Sequence, residues 1–292
     1  MTKSDFSFLQ RIKIRALKYR YRTSTSDPYL SGDALASICD FYIRVEDDLE
    51  IFERTGAMHN TVFCRSDLVP HLVKTQLSPK KNRTLIAGNS DFDFADREVL
   101  PMNTFNRFFL QNSMISDSKS IFTLPVGVEN LSIGINGLPG NLVTKIAWKE
   151  KSKTVLVGPF SPTHESRERL MTIARLHPKV FDCNFERISP KQFAIKMNRY
   201  KYVACPRGNG MDSHRLWETL YRGSIPIVLD SSWSRSLSYY KLPLIQVTSW
   251  DEVEAAIDTF ENTHSVISPE NIPALWIPFW KNILTTNPLA SY

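Results

Sequence analysis

Residues 205–228 read CPRGNGMDSHRLWETLYRGSIPIV, and they crowd reactive side chains into a short span. Arg207, His214, Arg215 and Glu218 fall between two apolar runs, KYVAC before and SIPIV after. Runs of this kind read as core strands, with a loop and a helix between them. Asp212 or Ser213 supplies the helix N-cap, the helix extends to about Arg222, and Gly223 stands where helices commonly end. At the helical repeat, Leu216, Trp217, Leu220 and Tyr221 share an apolar face. His214, Arg215, Glu218 and Arg222 share the opposite face, which is expected to look toward the loop edge or solvent.

The free N–H groups and dipole of a helix N-terminus favour an anion. Two cationic side chains in the first turn, His214 and Arg215, oppose that dipole, so they point to a shared anionic ligand. Arg207 comes directly off the preceding strand, Gly208 and Gly210 allow close backbone approach to a ligand, and Asn209 and Asp212 complete the loop. A diphosphate fits, because it needs several donors and positive charge. Glu218, one turn further on, suits a ribose diol. The plainer alternative is an exposed amphipathic helix with a Glu218–Arg222 pair at i,i+4.

These residues need a sheet to hold them. TVFC (61–64), TLIA (84–87) and IFTLPVGV (121–128) read as strands alternating with polar or helical stretches. From about 132 to 153 the text turns to glycine, asparagine, proline and lysine, the best domain boundary. The pattern then restarts. KTVLVGPF (153–160) is a strand entering the loop SPTHES, and RERLMTIARL (167–176) is a helix. FDCNFE is a short strand, SPKQFAIKMNRY (189–200) a helix capped by Ser189, and KYVAC and PLIQV (243–247) are strands. SWDEVEAAIDTF (249–260) is a helix with a capping box formed by Ser249 and Glu252. The expected fold class is α/β, with a doubly wound parallel sheet of four or five strands in the second half. Ligands in such sheets bind beyond the carboxyl ends of the strands, which selects the loops after Phe160 and Cys205.

At 292 residues the chain accommodates about two domains. Its 42% apolar and 23% charged residues are ordinary for a globular protein. Cys39, Cys64, Cys183 and Cys205 are widely spaced with no CxxC pair, which argues against a zinc site or a disulfide scaffold. The net charge of +6 is uneven: Lys3, Arg11, Lys13, Arg15, Lys18, Arg20 and Arg22 face only Asp5 in the opening segment. Apolar Phe6, Phe8, Leu9, Ile12 and Leu17 are interleaved with them, as in segments that lie on anionic membrane surfaces. A solvated tail or an ordinary packing helix is the alternative. No apolar run is long enough to span a bilayer, and no apolar signal region appears, so the expected location is cytoplasmic, with a peripheral place at the inner membrane surface. No nucleic-acid signature is present, and nucleic acid is not expected as a partner.

The 205–228 stretch closely resembles the nucleotide-sugar-binding signature of exostosin-like glycosyltransferases. LSGDAL (30–35), AGNSDFDF (87–94), NRFFLQN (106–112), LPVGVEN (124–130) and ESRERL (165–170) resemble successive blocks of bacterial and viral members, in the same order. The resemblance covers roughly residues 28–255. It implies a GT-B fold, in which two Rossmann-like domains face each other across a cleft. The chain then divides into a basic segment 1–26, an acceptor-side domain 27–148, a nucleotide-sugar-binding domain 149–268, and a segment 269–292 whose helix packs back across both. By this resemblance Arg207 and Arg215 hold the donor diphosphate, His214 lies nearby, Glu218 meets the ribose, and Arg167 is a third phosphate ligand. The chain departs from the family pattern at Gly88, where members often have a histidine before the asparagine, and in the proline-rich loop GPFSPTHES.

The expected activity is transfer of a sugar from a nucleotide-diphosphate sugar, a UDP-sugar first, to a glycan or glycolipid acceptor in surface polysaccharide synthesis. Inverting transfer needs one base near the anomeric carbon. Asp91, after the TLIA strand, is the first candidate and Asp33 the second; capping or turn chemistry is the alternative for each. Asn89, Ser90, Asn112 and Glu129 are candidates for the acceptor side of the cleft, and Asn130 for its loop. No cofactor and no metal are expected: Asp91-Phe92-Asp93 has the letters of a metal motif, but it falls in the acceptor half, and one carboxylate pair is a thin magnesium site. Two other classes remain open. One is a nucleotide- or glycan-binding protein without catalysis, and the other a basic module that docks on a membrane or partner.

Overall fold

The computed structural model describes residues 27–74, 83–115, 119–134, 136–142, 146–183, 188–265 and 268–286. The basic segment 1–26 lies outside them. Two five-stranded sheets carry the architecture, and every pairing within them is parallel. The first sheet is built in chain order from β1 (Phe41–Ile43), β2 (Thr61–Arg65), β3 (Thr84–Gly88), β4 (Arg107–Leu110) and β5 (Ile121–Thr123). Its connections include α1 (Gly32–Ser37) ahead of β1, α2 (Asp47–Thr55) and the single turn α3 (Val69–Leu72).

The second sheet contains β6 (Ser152–Val157), β7 (Phe181–Cys183), β8 (Tyr200–Ala204), β9 (Ile225–Leu229) and β10 (Ile245–Val247). Its spatial order is β10-β9-β8-β6-β7. The chain therefore steps outward from β6 to β7 and then returns to the other side of β6 for β8. That reversal is the topological switch point of a doubly wound sheet, where a crevice opens between diverging loops. Helices α4 (Glu165–Leu176), α5 (Pro190–Met197), α6 (His214–Tyr221), α7 (Ser232–Ser236) and α8 (Val253–Thr263) follow β6, β7, β8, β9 and β10 in turn, and α9 (Ile277–Thr286) ends the described chain.

Alternation along the strands sorts their side chains onto two faces. Phe63, Ile86, Phe109 and Phe122 share a buried cluster with Leu156, Val203, Val228, Leu216, Trp217 and Trp280, so one core runs through both halves. The other face of each sheet has its own cluster, around Phe108 and Leu110 in the first and around Tyr202 and Ile227 in the second. Trp280 of α9 is fully buried and meets Phe109 and Tyr240, while Arg107 Nη2 donates to the Ile283 carbonyl at 3.1 Å. Among the described residues, no helix is long and apolar enough to cross a membrane. All four cysteines are free.

Two local expectations need correction. The run 121–128 is a strand only over Ile121–Thr123; Pro125 offers no N–H and Gly127 has φ of 67°. Leu124 and Val128 are apolar because they are buried beneath the loop, not because they extend the strand. The expected capping box at Ser249 does not form. Glu252 instead accepts from the Thr248 N–H and hydroxyl, a short 3-10 turn covers Trp250–Glu252, and the α-helix begins at Val253. The helix capped by Ser189 does carry a full capping box with Gln192.

Candidate active site

Helix α6 leaves the loop that follows β8. Its N-cap position is Ser213, but neither Ser213 nor Asp212 caps it with a side chain. Asp212 is occupied elsewhere: it accepts the Val126 N–H at 2.8 Å and the Trp217 indole N–H at 2.9 Å, while its own N–H donates to Asn112 Oδ1 at 3.0 Å. Burial pushes this carboxyl up to about 7 against the opposing pull of those N–H donors. Asp212 thus joins the loop after β5 to the start of α6. His214 makes a second such link, with Nδ1 2.8 Å from the Gly127 carbonyl.

The apolar face of α6 is buried as its periodicity predicts, but its polar face is not solvated. Glu218 is 8% exposed and Arg222 is 1% exposed. They form the expected i,i+4 pair, at 3.8 Å, inside the protein. Arg222 also donates to the carbonyls of Glu218 and Asn141, both at 2.7 Å. The helix ends in a Schellman pattern, with Gly223 at φ 60° and the Ser224 N–H on the Thr219 carbonyl. Lys151, which sequence reasoning missed, reaches the same end. Its ammonium donates to the Arg222 carbonyl at 2.7 Å and to the Ser224 hydroxyl at 2.8 Å. Burial, then the neighbouring Arg222, lower its pKa to about 8. A buried cation on a helix C-terminus complements the dipole that favours an anion at the other end.

The second loop of the crevice follows β6. Gly158 adopts φ 77°, and Phe160 and Ser161 then lead to α4, whose first turn is capped by His164 Nδ1 accepting from the Ser166 N–H. Arg215 crosses from α6 to this loop. Its guanidinium lies between the rings of Phe160 and Phe193, 4.6 Å from each centroid, and Nη2 donates to the Pro159 carbonyl at 3.0 Å. Its Nη1 is sealed and has no hydrogen-bond partner. Burial lowers this guanidinium to about 10, which leaves it charged at neutral pH. Arg167 donates to the carbonyls of Arg207 and Ser161, both at 2.9 Å, and lies 5.5 Å from the Phe160 ring. Burial comes first among the effects on Glu218 and raises its pKa; Arg222 and then Arg215 oppose it.

A cavity of about 560 Å³ opens where these loops meet. Arg167, Gly208, Asn209, Gly210, Asp212, His214, Arg215 and Glu218 line it from the second half. Asp91, Gln111, Val126 and Glu129 line it from the first. Arg207 is not on this wall. Its Nη2 donates to the Asn209 carbonyl at 2.9 Å and approaches Asp93 at 3.5 Å, while Asn209 Nδ2 donates to Asp91 at 3.2 Å. Gly208 and Gly210 leave room for their neighbours: a Cβ would stand 2.7 Å from Arg167 Nη2 at the first and 2.5 Å from Asn112 Nδ2 at the second, so either side chain would have to shift.

The remaining candidates gather beside the cavity. Asn89, at φ 58°, donates to Asp33 at 3.2 Å and to Tyr42 at 3.0 Å, and accepts from Asn130 at 2.8 Å. Asp33 also accepts from Ser132 at 2.7 Å, so its carboxylate is held in a local network and does not line the cavity. The Ser90 hydroxyl accepts from the Phe92 N–H at 3.3 Å. Asn112 is buried under the 205–213 loop. Glu129 accepts from the backbone and side chain of Asn136. Phe160, Phe193 and Gln111 are cavity residues that sequence reasoning missed; an aromatic pair far apart in sequence gives no signal until the fold stacks it on Arg215. Among the described residues, no group of three or more His, Cys, Asp or Glu residues is placed to hold a metal ion.

No family model matches this chain. No curated protein matches it either. Among solved structures, it is similar to one described as the crystal structure of an alpha1,3-fucosyltransferase, with 11% identity and a TM-score of 0.38. That match covers 90% of this chain and 97% of the other.

Proposed function

We propose that the protein is a glycosyltransferase of the GT-B type, taking a nucleotide-diphosphate sugar as donor and a glycan or glycolipid as acceptor. The observation that carries this reading is the convergence of Arg215, Arg167 and the α6 N-terminus on one cavity at the switch point of the second sheet. The resemblance of residues 205–228 to the exostosin-like donor signature supports the same reading.

The donor diphosphate lies over the start of α6, with Arg215 and Arg167 beside it. Glu218 accepts from the ribose. Charge that develops on the departing diphosphate is met by the guanidinium groups and helix dipole, held in place before reaction. Arg207 acts indirectly: by bonding to the Asn209 carbonyl and meeting Asp93, it shapes the loop on which the diphosphate rests. Asp91, on the opposite wall, takes the proton from the acceptor hydroxyl in an inverting displacement. Glu129, with Asn89, Ser90 and Asn112 behind the wall, sets the acceptor side. The reading includes a UDP-sugar donor, a metal-independent reaction, and work at the cytoplasmic membrane surface through the basic residues 1–26.

Calorimetric titration with UDP, GDP, CDP and CMP, in magnesium and in EDTA, tests the donor site. Selective micromolar binding that survives EDTA is expected. No binding to any of the four would remove the reading. Turnover with the matching sugar donor then separates a transferase from a binding protein without catalysis.

A further inference from the structure

His214 is the first residue of α6 and lines the cavity. Its Nδ1 faces the Gly127 carbonyl at 2.8 Å. A carbonyl can only accept, so Nδ1 carries a proton, and the neutral ring keeps its lone pair on Nε2. The ring cannot easily change this arrangement. The backbone on either side of Gly127 is pinned, the Val126 N–H to Asp212 and the Val128 N–H to the Leu30 carbonyl, both at 2.8 Å, which holds the carbonyl that faces the ring. Nε2 forms no hydrogen bond among the described residues and is not sealed from solvent.

In its neutral form the ring would turn a lone pair toward the place where the helix terminus and two arginines call for an anion. A phosphate oxygen can only accept, so Nε2 meets the anion favourably when the ring carries a second proton. We propose that His214 binds the donor diphosphate as an imidazolium, Nδ1–H on Gly127 and Nε2–H on phosphate, so that donor binding above neutral pH takes up one proton from solution. This rests on the donor-site reading above.

The surrounding charges are balanced for such a change. Asp212 and Glu218 interact favourably with a cationic His214 from its own segment, and Glu129 and Asp91 face the cavity from the other half. Arg215, Arg167 and the positive end of α6 oppose the cation. An arriving diphosphate screens those three and adds negative charge beside Nε2, which tips the balance toward the imidazolium.

The test is calorimetric binding of UDP-glucose and GDP-mannose at pH 8, in buffers of different ionisation enthalpy. Both phosphates of these donors are esterified, so the ligand has no phosphate that titrates near neutrality. The observed enthalpy should vary with the buffer, with a slope approaching one proton per donor. In His214→Gln, which keeps a hydrogen-bond donor but cannot take up a proton, that slope should vanish. The wild-type affinity should weaken by up to about tenfold per pH unit on the alkaline side, one proton being worth that factor, while the variant stays flat.

A second measurement leaves His214 itself unchanged. Imidazole nitrogen spectra of the wild type should show one of the six histidine rings becoming doubly protonated on saturation with donor. Substituting the other five in turn identifies it by elimination. Donor binding with no buffer dependence overturns the proposal. So does a slope that persists in His214→Gln, which would move the proton to Asp212 or Glu218. Failure of either sugar nucleotide, and of free UDP and GDP, to bind removes the donor site itself and this inference with it.

Discussion

Replacing Arg215 by methionine separates a binding function from a packing function, because the two make opposite demands on stability. Methionine keeps most of the aliphatic volume and loses the charge. The wild-type guanidinium gains from two ring contacts at 4.6 Å, about 2–3 kcal/mol together for desolvated cation–π pairs, and from a hydrogen bond to Pro159 of about 1 kcal/mol. Against this stands the burial that lowers its pKa from 12.5 to about 10, which corresponds to about 3 kcal/mol. The contributions nearly cancel. Arg215→Met should therefore melt within about 3 °C of the wild type, since about 1 kcal/mol shifts a domain of this size by a few degrees. Donor turnover should fall by about two orders of magnitude or more, because the lost charge faces the departing diphosphate. Scanning calorimetry and initial-rate assays on the same preparations decide it. A melting point lowered by about 10 °C with turnover unchanged would overturn the binding role and make Arg215 a structural stack between Phe160 and Phe193.

Glu218→Ala should weaken UDP binding by about 1–3 kcal/mol, read by titration calorimetry, if its carboxylate meets the ribose. Asp91→Asn should lower turnover by about two to four orders of magnitude while leaving UDP affinity within about twofold, as loss of a general base on the far wall requires. Asp212 has a folded pKa raised above its ordinary 3.8 to about 7, so the folded state holds its proton more tightly than the unfolded state between those values. Its contribution to stability is then greatest at acid pH and declines as pH rises from about 4 to about 7, by up to about 4 kcal/mol. Urea unfolding at pH 5 and pH 8 should show this decline in the wild type and a smaller one in Asp212→Asn; equal declines would assign the titration to another group.

Much of the second half was legible because its strands are short apolar runs set between capped helices. The runs TVLV, YVA and IPIV find their places in the sheet, and Ser189 begins its helix with a full capping box. The three-residue strand at Phe41–Ile43 was not legible, since so short a run has no period to read. The overlong strand at 121–128 came from taking apolar character for extension. The loop residues Leu124 and Val128 are apolar because they are buried in the core common to both halves.

The polar face of α6 was misjudged for a related reason. Its fate depends on the stretch from about 132 to 153, whose glycines, asparagines and lysines resemble an open linker. In the fold two of its residues lie against the end of the helix: the Asn141 carbonyl accepts from Arg222, and the Lys151 ammonium covers the last carbonyls. A polar stretch can be buried when its groups find partners, and periodicity carries no record of partners so far along the chain. The consequence reaches the site. Arg222, paired with Glu218, is held from behind by Asn141, while Asn136 of the same stretch lines the cavity and bonds to Glu129. Described residues between β5 and β6 therefore support both walls of the crevice, Asn141 and Lys151 behind α6 and Asn136 beside Glu129. A ligand entering the cavity meets side chains that are already oriented on both sides.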